Sequence, residues 1–313
     1  MARPSEFGDQ RLAAEGEIAV ARLAMDAGDL PHAASHLADA MATDPALPDV
    51  HEALAEFCAH AGGPAAAVEY FPTVGEASLG AAACFAHVSA AAGDWEGALE
   101  ALAVVMEAEP ARPWAGAAWL LREDLPELIA PEAVVRAVAR ATGALREPPA
   151  GDVRTALVPL DRFVTAVLDR HPDHAALLAL SSALPRLLGA DGLTVDRAER
   201  AYRISPGRVE AVMYGWVLRA DGRADEALAV WEAALEEGPF DGHLAGEVAG
   251  LYAATGHPEA GLAWIERALD HEPDHPMAAP LLHGLHHQIG SGTEHLLALA
   301  DHARAHPGHD LDD

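Results

Sequence analysis

The chain contains no lysine and no asparagine; all twenty of its basic residues are arginine. The missing lysine excludes Schiff-base chemistry and the lysine of a phosphate-binding P-loop. Aromatic side chains make up only 5% of the 313 residues, which disfavours β-sheet, because strands are built from branched and aromatic side chains. Cysteine is nearly absent as well. Cys58 and Cys84 form no CxxC pair and fall in alanine-rich stretches, so they read as small buried hydrophobes rather than as a disulfide or a zinc site. No apolar run approaches the roughly 20 residues that span a bilayer, and the opening MARPSEFGDQ lacks the basic start and apolar core of a signal peptide. These absences predict a soluble cytoplasmic protein. Catalytic signatures are missing too: there is no dinucleotide fingerprint, no Walker-type loop and no nucleophile elbow. HEALA at 51–55 begins like a zinc-protease helix but lacks the second histidine. The expectation is a protein that is not an enzyme and needs no cofactor.

What is present is alanine, acid and punctuation. Hydrophobic residues reach 51%, and the formal charge is −29. That charge is uneven. Residues 23–111 carry −14 with no arginine, residues 112–223 carry +1 with fifteen arginines, and residues 224–313 carry −15. Two acidic ends flanking a neutral middle repel nucleic acid and anionic membrane. The acidic ends either keep an alanine-rich surface soluble or attract a basic partner.

Helical stretches alternate with Gly-Asp or Asp-Gly turns and with segments ending in proline. In 208–241 the markers are Gly222, Ala227 and Pro239; in 242–275 they are Gly256, Gly261, Ile265, Ala268 and Pro273. Earlier, 79–112 carries Ala86, Gly93, Ala98, Leu102 and Pro110, and 14–47 carries Ala21, Gly28, Ala33, Leu37, Ala40 and Pro45. Pro239 and Pro273 are 34 residues apart, as are Pro172 and Pro206. Small residues let the helices of a pair approach closely, glycine ends the first helix in a left-handed turn, and Asp29 or Asp94 is placed to cap the second. One pair cannot bury its apolar face alone, so pairs must stack. A 34-residue period with small, large and proline markers at fixed offsets resembles the tetratricopeptide repeat family, over about two thirds of the chain. The resemblance implies an all-α fold, a right-handed superhelical solenoid of antiparallel helix pairs.

The frame weakens in two places. Residues 64–78 predict a shortened second helix ended by Pro72. Residues 113–151 predict a helix from Trp114 to Glu123, an interruption at DLPELIAPEA, a further helix from Val134 to Ala141, and a linker at LREPPAGD. A long helix from Val153 to Arg170 follows, with Pro159 inside it. The expected organisation is an extension at 1–13, repeats at 14–143, a linker at 144–151, repeats at 152–307 and a tail at 308–313, with the repeats in two lobes.

Tetratricopeptide families hold extended peptides or helices on the concave face, formed by the first helix of each pair. The resemblance places residues offset like Trp216 and Arg219 on that face. Arg186 occupies the offset of Arg219 in its own unit and should stack beside it. Arg22, His60, His87 and Trp114 are the further candidates on neighbouring first helices. Arginines beside a tryptophan can clamp a carboxylate and stack on a side chain; equally, Trp216 can fill a gap between repeats while the arginines neutralise nearby acids. Members that bind chaperone tails clamp a carboxylate with lysines and asparagines, which are absent here, so an adaptor of that type is not expected.

Nine of the eighteen histidines fall within 271–309. His302 and His306, four apart on a predicted helix, are the metal-ligand candidates, and His283 and His287 repeat their spacing. No cysteine or carboxylate pattern completes a site, so polar surface is the simpler reading; a response to pH near about 6 is another. The leading expectation is a scaffold or adaptor that binds a protein or peptide segment in its groove, with no metal, nucleic-acid or membrane partner. The alternatives are a self-associating structural repeat protein and, more weakly, a metal- or small-ligand-binding protein using the histidine-rich C-terminal lobe.

Overall fold

Each regular repeat is built the same way. Helix α1 (Pro4–Asp26) ends at Gly28, whose φ of 74° only glycine adopts without strain, and α2 (Leu30–Thr43) restarts with the Asp29 carboxylate accepting the His32 amide at 3.3 Å. The computed structural model describes residues 4–72, 78–145, 149–189, 191–272 and 278–290, without the side chains of 4–8, 191–193 and 278–279. Among the described residues every regular element is a helix. The next elements are α3 (Pro48–His60), the stub α4 (Pro64–Ala67) with a 3-10 turn at Val68–Tyr70, α5 (Leu79–Ala92) and α6 (Trp95–Ala108). Asp94 caps α6 by accepting the Gly97 amide at 3.0 Å. The expected small markers are core residues: Ala21, Ala33, Ala40 and Ala98 are fully buried, and Ala86 nearly so.

The shortened repeat has a packing consequence. Because α4 is a stub, α2 lies directly against α5. The contact is so close that a Cβ on Gly80 would overlap the Ala38 carbonyl. The buried thiol of Cys84 donates to the Leu37 carbonyl across the same seam, at 3.6 Å.

The segment after α6 departs from the expected helix over 114–123. It forms two 3-10 turns, Trp114–Gly116 and Ala118–Leu121, separated by Ala117 in an extended conformation (φ −58°, ψ 123°). The Trp114 indole N–H donates to the Glu109 carbonyl at 3.1 Å, which folds the chain back onto the end of α6. Then come α7 (Leu125–Leu128), α8 (Pro131–Gly143), α9 (Gly151–Arg170) with Pro159 inside it, α10 (Ala175–Ser181), α11 (Ala183–Leu188) and α12 (Asp191–Ile204). Helix α9 packs on both 3-10 turns and on α7.

The chain forms two compact units, Met1–Arg197 and Ala198–Asp313. The first continues through 144–151, where a linker between lobes is expected from composition, because α9 returns to pack on the segment before it. Residues 4–13, expected as a separate extension, are the first turns of α1.

In the second unit α13 (Arg208–Ala220), α14 (Ala224–Glu237), α15 (Gly242–Ala254), α16 (Pro258–His271) and α17 (Ala278–Ile289) keep the period. Gly222, Gly256 and Gly290 recur every 34 residues at φ 77°, 83° and 73°. Trp231 of α14 is fully buried beneath Gly215 of α13, where a Cβ would overlap its indole, and its N–H donates to the Val212 carbonyl at 3.2 Å. Glu232 joins successive pairs: one carboxylate oxygen accepts from the Tyr252 hydroxyl at 2.6 Å and from the Trp264 indole at 3.2 Å. The hydrogen bond to Glu232, together with burial, holds Tyr252 neutral, pushing its pKa up to about 12. The regular pairs are thus tetratricopeptide-like: two antiparallel helices closed by a glycine turn, repeated at 34 residues.

Candidate partner-binding grooves

The irregular segment creates the larger groove. Helices α3 and α5 present His51 and His87, α6 presents Trp95, and the 3-10 turns bring Trp119 and Arg122 opposite them, enclosing about 630 Å³. The Trp119 indole N–H donates to His87 Nδ1 at 3.2 Å. Indole nitrogen is a donor only, so His87 is the neutral, Nε2-protonated tautomer. Its ring meets His51 edge-on, with centroids 4.6 Å apart, and His51 Nε2 in turn donates to the Pro45 carbonyl at 2.9 Å. Burial, with a smaller contribution from His51, pushes the His87 pKa down to about 3. Arg122 lies 5.0 Å over the Trp95 ring while its guanidinium grips Asp124 through two bonds of 2.9 and 2.6 Å. Most of the rest of the wall is apolar, including Pro45, Pro48, Leu54 and Val88, with the exposed carboxylate of Glu52 among them. Cys58 sits in it as a free thiol, 7% exposed, its pKa raised by burial.

A second groove, of about 550 Å³, lies wholly in the second unit. Trp216 and Arg219 of α13 face His243 and Glu247 of α15 across it, and Leu281 of α17 closes one side. Arg219 is ion-paired with Glu247.

The seven residues expected on the inner face are distributed unevenly. Trp216 and Arg219 share the second groove, and His87 lies in the first. Arg22 of α1 is committed to Glu56 of α3, 34 residues on, through bonds of 2.8 and 3.0 Å. His60 is exposed at the end of α3, its Nδ1 donating to the Glu56 carbonyl at 3.0 Å. Trp114 has to be corrected: it is 3% exposed and hydrogen-bonded to the backbone, a core residue that no partner can touch. Arg186 is half-buried on α11 of the first unit, whereas Arg219 belongs to the second, so the expected stacking falls across the two units. His302 and His306 lie outside the described residues.

Sequence reasoning missed His51, Trp95, Trp119 and Arg122. In the sequence, Asp94-Trp95 signals only a helix start and HEALA only a zinc-type helix without its second histidine. The second 3-10 turn, which carries Trp119 and leads into Arg122, has no periodicity to place them.

No protein-family model matches the chain, and no curated protein does. Among solved structures, the chain is similar to YrrB, described as a TPR protein with an unusual peptide-binding site, at 17% identity over 58% of this chain and 96% of that one (TM-score 0.43). It is similar to a tetratricopeptide repeat protein from Parabacteroides merdae at 14% identity over 88% and 99% (TM-score 0.41). It is similar also to human IFIT1, solved as a dimer with m7Gppp-AAAA, at 15% identity over 90% of this chain and 66% of that one (TM-score 0.44).

Proposed function

We propose that this protein is a scaffold that holds an extended protein segment, and that an apolar or aromatic side chain of the segment anchors between Trp95, Trp119 and His87. The observation that carries this reading is the groove itself. About 630 Å³ is the volume of a side-chain or small-ligand pocket. Its walls combine apolar carbon with the rings of Trp95, Trp119, His51 and His87 and the carboxylate of Glu52. No described helix is long and apolar enough to cross a membrane.

The arginines favour one kind of partner over another. Arg22, Arg122 and Arg219 already hold Glu56, Asp124 and Glu247. A carboxylate on the partner would have to displace those acids, and exchanging one exposed ion pair for another gains little. A neutral or basic segment meets no such competition and is drawn by the −14 of residues 23–111. Under this reading His60 and Arg186 in the first unit and Trp216 and Arg219 in the second are further contact points, with Trp216 as the second aromatic anchor.

The test is capture from lysate by the intact chain, by Trp119→Ala/Arg122→Ala and by Trp216→Ala/Arg219→Ala, each with helicity checked. The captured partner is then mapped to a peptide and titrated. An anchored segment loses at least about tenfold in affinity when its aromatic wall is removed. A peptide held equally by all three proteins places binding elsewhere. Recovery of the chain's own copies alone favours self-association.

A further inference from the structure

Outside both grooves, the first helix pair carries a cluster of metal-ligating side chains. His32 and His36 lie one turn apart on α2, with Asp39 a further turn along, and Glu17 faces them from α1. His36 Nε2 and His32 Nε2 are 3.2 Å apart, the rings meeting at 87°. Two imidazoles on one tetrahedral ion, with metal–nitrogen bonds of about 2.0–2.1 Å, have their nitrogens roughly 3.3 Å apart. The pair is therefore already at ligand spacing, and in the absence of an ion the same spacing is held by one Nε2–H donating to the other ring.

The surroundings set the tautomer that a metal needs. His36 Nδ1 is 2.5 Å from a Glu17 carboxylate oxygen. A carboxylate accepts only, so Nδ1 carries the proton and the Nε2 lone pair of His36 points at His32. This is the carboxylate–histidine arrangement that orients metal-bound imidazoles and raises their basicity. His32 is exposed, so moving its proton to Nδ1 costs little. Glu17, His36 and Asp39 each place a ligand atom within 4.8 Å of the others, so two carboxylates flank His36. Spacing alone does not produce this. His283 and His287 have the same separation in sequence, yet their rings stack at 28° with centroids 6.5 Å apart.

We propose that His32 and His36, with Glu17 as the residue that orients His36, bind a borderline transition cation such as Zn2+, Co2+ or Ni2+. The nitrogen-rich set selects against Mg2+ and Ca2+, which take oxygen ligands. Because Glu17 stands on α1 and the histidines on α2, the ion ties the first helix pair together.

The test is titration of the full chain with Zn2+ against a chromogenic chelator, together with Co2+ absorption, for the intact protein, His32→Ala, His36→Ala, Glu17→Gln and His302→Ala/His306→Ala. One equivalent, with a change in Co2+ absorption on binding, is expected in the intact chain, lost in His32→Ala and His36→Ala and kept in His302→Ala/His306→Ala. Glu17→Gln should bind the same equivalent roughly 10- to 100-fold more weakly, as removal of an orienting partner does elsewhere. His32 is exposed, so its variant separates loss of a ligand from loss of fold. Unchanged binding by His32→Ala, or loss confined to His302→Ala/His306→Ala, overturns the proposal.

Discussion

The pairs formed by α13 to α16 and the segment from Trp114 to Leu128 use similar residues for opposite ends. In the pairs, small residues at a fixed 34-residue offset bring helices into contact, and two of the three tryptophans are engaged in packing: Trp231 is fully buried under Gly215, and Trp264 is tied to Glu232, while Trp216 lines the smaller groove. In the segment the period is lost and the chain turns twice in 3-10 form. One aromatic, Trp114, is buried, and the other, Trp119, is left half-exposed opposite His87. The periodic pairs thus carry the smaller groove, and the loss of the period goes with the larger one. A repeat protein gains a distinctive site where it stops repeating.

The sharpest way to break that comparison is one substitution made in both kinds of region. Gly80→Ala in α5 drives a methyl into the Ala38 carbonyl of α2, backbone against backbone. We expect a loss of about 3 kcal/mol, at the upper end for overpacking, because neither helix can yield without moving the seam. Gly116→Ala in the first 3-10 turn meets nothing within 4 Å and has no positive φ. It should be neutral or stabilise by up to ~1 kcal/mol through the unfolded chain. Urea denaturation of the two variants measures both; equal losses would mean that the irregular segment is as tightly constrained as the repeats.

Hydrogen bonds between repeats give the next effect. Glu232→Ala removes the acceptor shared by Tyr252 and Trp264. A loss of about 1–2 kcal/mol is expected for two part-buried donors left without it. The Tyr252 phenol should also titrate lower, since Glu232 is the largest cause of its raised pKa. Ultraviolet titration of tyrosinate reads that shift independently of stability.

His87 supplies the matching probe in the groove. Its folded pKa, about 3, lies below the ordinary value of 6.5. Between those values the unfolded chain binds a proton that the native ring refuses. The contribution of His87 is therefore fully present above pH ~6.5 and is lost as pH falls towards 3, by at most ~1.4 kcal/mol per unit. One edge of the ring meets the groove, so water there makes that slope a ceiling. His87→Gln, which can still accept from the Trp119 indole, should flatten the stability profile between pH ~5 and 6.5, where most carboxylates stay ionised. An unchanged profile would show that His87 is solvated and that the groove is more open than its walls suggest.

How much of this was legible in the sequence follows the same division. Gly28, Gly222 and Gly256 end their helices, Asp29 and Asp94 cap the next ones, and the alanine markers are buried, because each effect is local and recurs at a known offset. Pro72 announced the stub α4, but nothing in sequence said that α2 would then reach α5. Trp114 lies off the expected face because residues 114–123 do not form one helix; its indole bonds the backbone five residues earlier. Trp119 pairs with His87 and His51 with His87 by tertiary contact alone. No alternation or heptad encodes such partners, so the groove could not be read before the fold was in hand.

The smallest expected effect concerns the arginines. Arg22–Glu56 and Arg219–Glu247 each join the first helix of one pair to the first helix of the next. Both arginines are well exposed, with 42% and 49% of their side chains accessible. Exposed ion pairs contribute ~0–1 kcal/mol and weaken with salt, so Arg219→Met should change stability by less than about 0.5 kcal/mol. If Arg219 instead clamps a partner's carboxylate, the same variant leaves folding unchanged and abolishes binding, while Glu247→Gln strengthens binding by freeing the guanidinium. If both variants bind the mapped peptide as the intact chain does, the arginines serve only to neutralise their own acids, and recognition rests on the aromatic walls.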